Sequence, residues 1–467
     1  METEQKLVQY TIDAAYDDLP RTSVDIIKNV LLTVLGTTIA GARDDGCEDF
    51  VKQAGEWGGK EEATILIYGG KVPAHNAAFV NSIMARALDF CDGMVPGIHV
   101  GSSSVPTALA ACELAGGCSG KEFLTALVVG TEIASRLNSV SVYDGFDPTG
   151  VCTVFAATAI AGRLLHLDPH EMLNALALGF NRGGGSMQSN IDGSLAVRVI
   201  QGSASQSGII SAQLAKRGIT GPGNFLEGTY GYFHFYAKDK TALHRVTDEL
   251  GKRFELDKTL FKRYPSCGGT LAPTDAVLDL IRETDIVPEE IKSIDILVSP
   301  HVYKLVGGPF KVGKNPRVDA QFNIRYCVAN ALLRKSSRLR HFDESCVRDP
   351  GIMDLVNLIH VSPEASYENP GKAAFSIGCQ VNVAMKDGSV YSSSSGVPRG
   401  GAGSPLTAEE HAERFRDCIN YSEGLLPQEQ VEEIASLVGR LEQVDDVTRL
   451  IPLLIPEQVH GAMGSRG

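Results

Sequence analysis

Apolar residues in this chain recur mostly every three or four positions, the spacing that gives a helix one buried face. Ile26, Ile27, Val30, Leu31, Val34 and Leu35 form one such stripe, and Thr22 and Asp25 before it are placed like a capping box. A second stripe runs from about His75 to Leu88 through Ala78, Ile83, Met84 and Ala87. Between the two, 63–70 reads as a short extended piece and a turn. Further helices are predicted over 123–137, over the alanine-rich 151–165, from Asp168 as N-cap with Pro169 at the first position, and over 201–216. Gly183-Gly184-Gly185 has no P-loop lysine and no strand before it, so it reads as a hinge or a close backbone approach.

Near Lys262 the period changes. Ile294, Ile296 and Val298 alternate within 291–298, and 380–385 alternates likewise before Lys386-Asp387-Gly388-Ser389, a hairpin signal leading into Val390-Tyr391. Helices are predicted between these strands, over 319–333 and 352–358. The Ser/Gly-rich 392–403 reads as a mobile loop, and Thr407-Ala408-Glu409-Glu410 is a capping box that restarts helix. The amphipathic 427–441 is expected to pack back on the first domain. The fold class is therefore mainly α: a large all-helical domain over 1–262 and 395–467, with an inserted smaller α+β lid over 263–394.

A chain of 467 residues, 43% hydrophobic and 21% charged, is long enough for a large core of ordinary composition. Its net charge of −13, with no basic cluster, argues against nucleic acid as a partner. The ten cysteines show no CxxC pair, and no HExxH run occurs, so neither a zinc array nor another metal site is indicated. An iron–sulfur site would need Cys91 and Cys267 to meet two further cysteines. No signal peptide opens the chain, and no run approaches the roughly 18 uncharged apolar residues of a membrane span. A cytoplasmic protein with reduced thiols is expected.

Chemistry concentrates where the second stripe ends, in Asp89-Phe90-Cys91-Asp92-Gly93-Met94-Val95-Pro96-Gly97-Ile98-His99 followed by Gly101-Ser102-Ser103-Ser104-Val105-Pro106. Asp89 is expected in the last helical turn, where the helix dipole and the nearby Asp92 would push its pKa up, as a general base needs. Ser104 is expected to cap a helix over 105–115, whose free amides could seat an anion. On spacing alone, Asp89 and Asp92 read equally well as solvated turn residues and His99 as a satisfied loop histidine. A second constellation, Lys262-Arg263-Tyr264-Pro265-Ser266-Cys267-Gly268-Gly269, has the cations of an anion clamp, or of a solvated basic turn beside a structural cysteine.

These stretches, with Asp192-Gly193-Ser194-Leu195-Ala196-Val197-Arg198-Val199-Ile200-Gln201-Gly202, resemble the motifs of the MmgE/PrpD family. That family includes 2-methylcitrate dehydratases, cis-aconitate decarboxylases and an iminodisuccinate epimerase. The resemblance implies a homodimer without cofactor, an active site between helical domain and lid, and a small-molecule carboxylate substrate. It places Asp89, His99 and Tyr264 in catalysis, and Asp92, Arg198, Lys262 and Cys267 at the substrate; Ser104 is expected there for its helix start, and Asp147 as the group that would meet a substrate amine.

The chain departs from the family pattern at several of these positions. Val197 and Ile200 stand where lysine and histidine are usual, Gly93 where threonine is, and Asp147 and Leu271 where histidines are. A pocket so changed is less cationic, which suits a substrate with fewer carboxylates than citrate, bearing an apolar arm or an amine. The mechanism implied is proton transfer next to a carboxylate, with Asp89 or His99 moving the proton and the other, or Tyr264, serving the leaving hydroxyl. Arg198, Lys262 and the helix start after Ser104 would hold the enolate-like charge. Dehydration is the first expectation and epimerisation the second. Decarboxylation shares the intermediate, and a catalytically inactive binding homologue is the alternative from another class.

Overall fold

The computed structural model describes residues 3–95, 97–238, 243–367 and 377–457. Its larger part is a bundle in which the helices Arg21–Gly41, Ala74–Arg86, Gly101–Ala115, Gly120–Val140, Pro148–Leu164, Pro169–Phe180 and Ala196–Ala215 surround one apolar core. Leu31, Val34, Ile83, Leu109, Leu127, Phe155 and Ile209 lie in it, and alanines on the facing surfaces let the helices approach closely. Burial of these faces supplies most of the helices' stability. Asp168 and Glu171 form the reciprocal cap expected at Pro169. At the triple glycine the chains do approach closely: a Cβ on Gly150 would lie 1.8 Å from the Gly184 carbonyl oxygen.

Against the expectation of no such run, the helix Arg21–Gly41 is long and apolar enough to cross a membrane by length and composition; 72% of its most apolar stretch is buried within the protein. Its expected cap is absent. Pro20 holds the N-cap position, and Ser23 instead donates to the Asp257 carboxylate at 2.7 Å.

The smaller part has its own core. Four strands lie in the order 359–363, 291–298, 379–385 and 390–395, the first pair parallel and the others antiparallel. Ile294, Ile296, Val298, Val381 and Val383 are fully covered on one face, in the same core as the helices Gly268–Glu283 and Ile324–Arg334. The hairpin falls where expected, with Gly388 at φ +94°.

Two expectations give way here. The first four residues of the anticipated loop belong to the strand Val390–Ser395, because an edge strand partly open to water requires no apolar face. The predicted 319–333 helix is two, Pro316–Gln321 and Ile324–Arg334. The Asn323 side chain accepts from Arg325 N at 2.9 Å and starts the second.

The chain then returns to the bundle. Thr407 and Glu410 form their capping box at the head of Ala408–Tyr421, and Ile434, Leu437 and Val438 of Gln428–Gly439 join the bundle core. The fold is thus mainly α with a smaller α+β insertion.

Candidate active site

The insertion meets the bundle through a two-residue ladder. Asp92–Gly93 pairs antiparallel with Leu260–Phe261, and Lys262 N donates to Cys91 O at 3.4 Å, which sets Lys262 beside the turn that carries Asp89. Arg414 ties the two segments from behind: it donates to Lys262 O at 2.6 Å, Phe90 O at 2.8 Å and Thr33 Oγ1 at 2.9 Å. Gln321 does the same from the insertion, donating to Leu88 O at 2.6 Å and Pro265 O at 3.1 Å.

A cavity lies at this seam. Arg86, Asp89, His99, Asp147, Thr149 and Gln201 line it from the bundle, and Lys262, Cys267, Leu305, Phe322 and Ile377 line the other side.

Asp89 is not in a helical turn. The helix stops at Arg86, and Asp89 adopts φ +49°, a left-handed conformation that turns its carboxylate back between two cations. Lys262 Nζ lies 2.6 Å from Asp89 Oδ1, and Arg86 pairs with the same oxygen. Burial pushes this carboxylate up, but Arg86 and Lys262 outweigh it and hold the pKa at about 2. The expected upward shift is therefore reversed. Asp89 is a fixed anion, and two cations against one carboxylate leave a positive surplus beside the cavity.

His99 has the opposite character. Its Nδ1 lies 2.8 Å from the Asp92 carbonyl oxygen, an acceptor only, so Nδ1 carries the proton and Nε2 is the lone-pair nitrogen. Burial, then Lys262 and Arg86, push its pKa well below the ordinary value, which keeps the ring neutral. The backbone at His99 is held on both sides: its N–H donates to Thr149 Oγ1 at 3.1 Å, and its carbonyl accepts from Gln201 Nε2 at 3.1 Å.

Asp92 orients this histidine and does not line the cavity. Its Oδ2 accepts from Gly101 N at 3.0 Å, and a Cβ at Gly101 would fall 2.2 Å from Oδ1, so only glycine fits there. Burial raises the Asp92 pKa.

Asp147 is the N-cap of Pro148–Leu164, accepting from Thr149 N at 2.8 Å. Burial raises its pKa against the pull of that amide and of Arg86. Its surroundings therefore shift it toward the protonated form, the opposite of what they do to Asp89. Cys267 caps Gly268–Glu283 through its backbone position, and burial followed by the nearby Asp89 pushes its thiol up, so it faces the cavity as a thiol.

Three assignments change. Ser104 is not a cap: the helix begins at Gly101, three residues earlier, and the buried Ser104 hydroxyl has no partner. No helix start follows it to hold an anion. Tyr264 does not line the cavity; its hydroxyl donates to Asp275 at 2.7 Å on the far side of the seam. Arg198 is consumed inside the bundle by the Asp44 carboxylate at 2.9 Å, Asp45 O at 2.7 Å and Ala87 O at 2.9 Å.

Arg86, Thr149 and Gln201 were missed. A cation just before the Asp89 turn was a usable signal for Arg86. Thr149 and Gln201 gain their places only from packing. Val197 lines the cavity as an apolar wall, while Leu271 lies wholly in the insertion core. No group of three or more His, Cys, Asp or Glu side chains able to hold a metal ion occurs among the described residues.

The class of protein is defined by a helical bundle with an α+β insertion, with a histidine and a cation-flanked carboxylate lining a cavity at their seam. Residues 5–244 match the MmgE/PrpD N-terminal domain and residues 264–443 the MmgE/PrpD C-terminal domain, and the chain belongs to that family. The family's activities are dehydration, decarboxylation and epimerisation of carboxylic acids. The chain is similar to cis-aconitate decarboxylase of Homo sapiens, 27% identical over 397 residues covering 82% of this chain and 80% of the relative. It is 23% identical over 479 residues to a cis-aconitate decarboxylase-like protein of Aspergillus oryzae, with 97% of each chain covered. The Mus musculus cis-aconitate decarboxylase is 25% identical over 399 residues, covering 82% of this chain and 79% of the relative.

Proposed function

We propose that the protein is a cofactor-independent lyase that removes water from a small hydroxy-carboxylate. The observation that carries this reading is the neutral His99 ring, its Nδ1 proton engaged by the Asp92 carbonyl and its Nε2 left for the cavity. Nε2 takes the proton from the carbon next to the substrate carboxylate, and the electron pair moves toward that carboxylate. Arg86 and Lys262, which exceed Asp89 by one charge, stabilise the enolate-like species. Asp147 gives its proton to the leaving hydroxyl as the carbon–oxygen bond breaks and the double bond forms.

The same charge balance supports a substrate with fewer carboxylates than citrate. Met94, Val95, Val197, Leu305, Phe322 and Ile377 form much of the remaining wall, which suits an apolar arm. Decarboxylation is the second reading, favoured by the names of the curated relatives. It needs a proton delivered to carbon as carbon dioxide leaves, which Asp147 would supply, and it gives the lone pair of His99 Nε2 no proton to remove. A cytoplasmic homodimer is part of the proposal; cell fractionation and sedimentation of the purified chain test its two halves.

The test is proton NMR in heavy water with a panel of mono-, di- and tricarboxylic hydroxy and unsaturated acids, each run against His99→Ala. Exchange at the carbon next to the carboxylate, with an unsaturated acid appearing and both lost in the variant, is the expected result. Carbon dioxide release instead selects decarboxylation, and exchange that survives in His99→Ala overturns the assignment of the base.

A further inference from the structure

A second cavity lies behind the catalytic one, where the insertion helix Gly268–Glu283, the segment after Ile324–Arg334 and the bundle helix Ala408–Tyr421 converge. Arg263, Arg282, Lys335, Arg338 and Arg414 line it, against Glu410, Glu413 and Asp417. Arg282 pairs with Asp279 at 2.9 Å and Arg263 with Asp275 at 3.5 Å, both outside the lining, which leaves Lys335, Arg338 and Arg414 as the lining cations without a salt bridge among the described residues, in a chain whose net charge is −13.

The acids are largely occupied elsewhere. Glu410 lies 2.8 Å from Arg399 outside the lining, and Asp417 accepts from Leu339 N at 3.2 Å. Lys335 and Arg338 make no salt bridge among the described residues, and Lys335 is held at φ +53°. Between them Ser337 is 6% exposed, and its buried hydroxyl has no hydrogen-bond partner. An unpartnered buried hydroxyl between two unpaired cations, in a cavity, is an incomplete donor set.

We propose that this cavity binds a small multiply charged oxyanion, a phosphate-bearing or polycarboxylate molecule, through Lys335, Ser337 and Arg338. Its place gives binding a route to the catalytic cavity. Arg414 lines the second cavity while its guanidinium holds the carbonyls of Lys262 and Phe90, which flank the Lys262–Asp89 pair. An anion here draws the insertion and the bundle together across the seam, so occupancy stiffens the segments that position Lys262 and Asp89. Binding itself does not depend on the lyase reading.

The experiment is calorimetric titration of the full protein with pyrophosphate and, separately, with citrate, with hydrogen exchange measured in parallel. The expected result is saturable binding of at least one probe, slowed exchange over 335–339 and 90–92, and affinity weakened about tenfold or more in the Lys335→Gln, Arg338→Gln double variant. These side chains are on the exposed rim, so the variant keeps its fold; Ser337→Ala gives a second, smaller loss. Binding by pyrophosphate alone identifies the phosphate class, and by citrate alone the polycarboxylate class. No heat with either probe, equal affinity in wild type and double variant, or protection confined to the catalytic cavity overturns the proposal.

Discussion

Asp89 and Asp147 line one cavity, and both are almost wholly buried, yet their surroundings pull them in opposite directions. At Asp89 burial meets two cations, Arg86 and Lys262, and loses; at Asp147 burial meets a backbone amide and a more distant Arg86, and wins. Two carboxyls of the same kind are thus pulled apart, Asp89 held ionised and Asp147 shifted toward its protonated form. Partner placement decides the role, and residue type does not.

The largest expected effect is at His99, the base of the proposed reaction. His99→Ala is expected to lower turnover by about 10²–10⁴-fold, measured as product formation on the substrate found in the heavy-water panel. Next comes the pair itself. Lys262→Met removes one of the cations on Asp89 and is expected to destabilise the fold by about 3–5 kcal/mol in urea unfolding, because a buried charge loses a partner. Adding Asp89→Asn to that variant should deepen the loss, because it strips the buried Arg86 of its carboxylate as well.

Asp147→Asn keeps an oxygen for the Thr149 amide, so stability should change by less than about 0.5 kcal/mol, while Asp147→Ala should lose about 1 kcal/mol with the cap. Both variants should lose dehydration, which separates the proton from the cap. A separate effect follows from pH. The folded pKa of Asp89, about 2, lies below its unfolded value of 3.8, so its contribution is complete above about pH 4 and disappears as the pH falls through 2. It amounts to about 2 kcal/mol, read as the acid limb of the stability curve that Asp89→Asn flattens. Asp147 acts with the opposite sign: its raised folded pKa favours the fold at low pH, and that advantage is lost as the pH rises through the raised value. Smallest of all, Ser104→Ala should shift stability by no more than about 0.5 kcal/mol, since the hydroxyl caps nothing.

Much of the fold was legible because its signals are local. The alternation at Ile294, Ile296 and Val298, the Lys386–Ser389 turn, and the capping boxes at Asp168 and Thr407 each depend on a few neighbouring residues. The site was legible only as a set of residue types near two junctions. Asp89, His99, Asp147, Lys262 and Cys267 do line one cavity, but Tyr264, two residues from Lys262, faces away from it because it pairs with Asp275. Arg198 carried the right charge and sits in the wrong place, drawn inward by Asp44. The sign at Asp89 was legible only in part: Arg86, the stronger of its two cations, stands three residues before it, but Lys262 lies 173 residues away along the chain.

The most direct test is NMR of carboxyl-labelled aspartate as a function of pH, with Asp89→Asn and Asp147→Asn used to assign the two signals. The account expects the Asp89 signal to stay ionised well below the usual carboxylate range and the Asp147 signal to titrate above it. Two signals titrating together in the ordinary range, or in the reverse order, would contradict it.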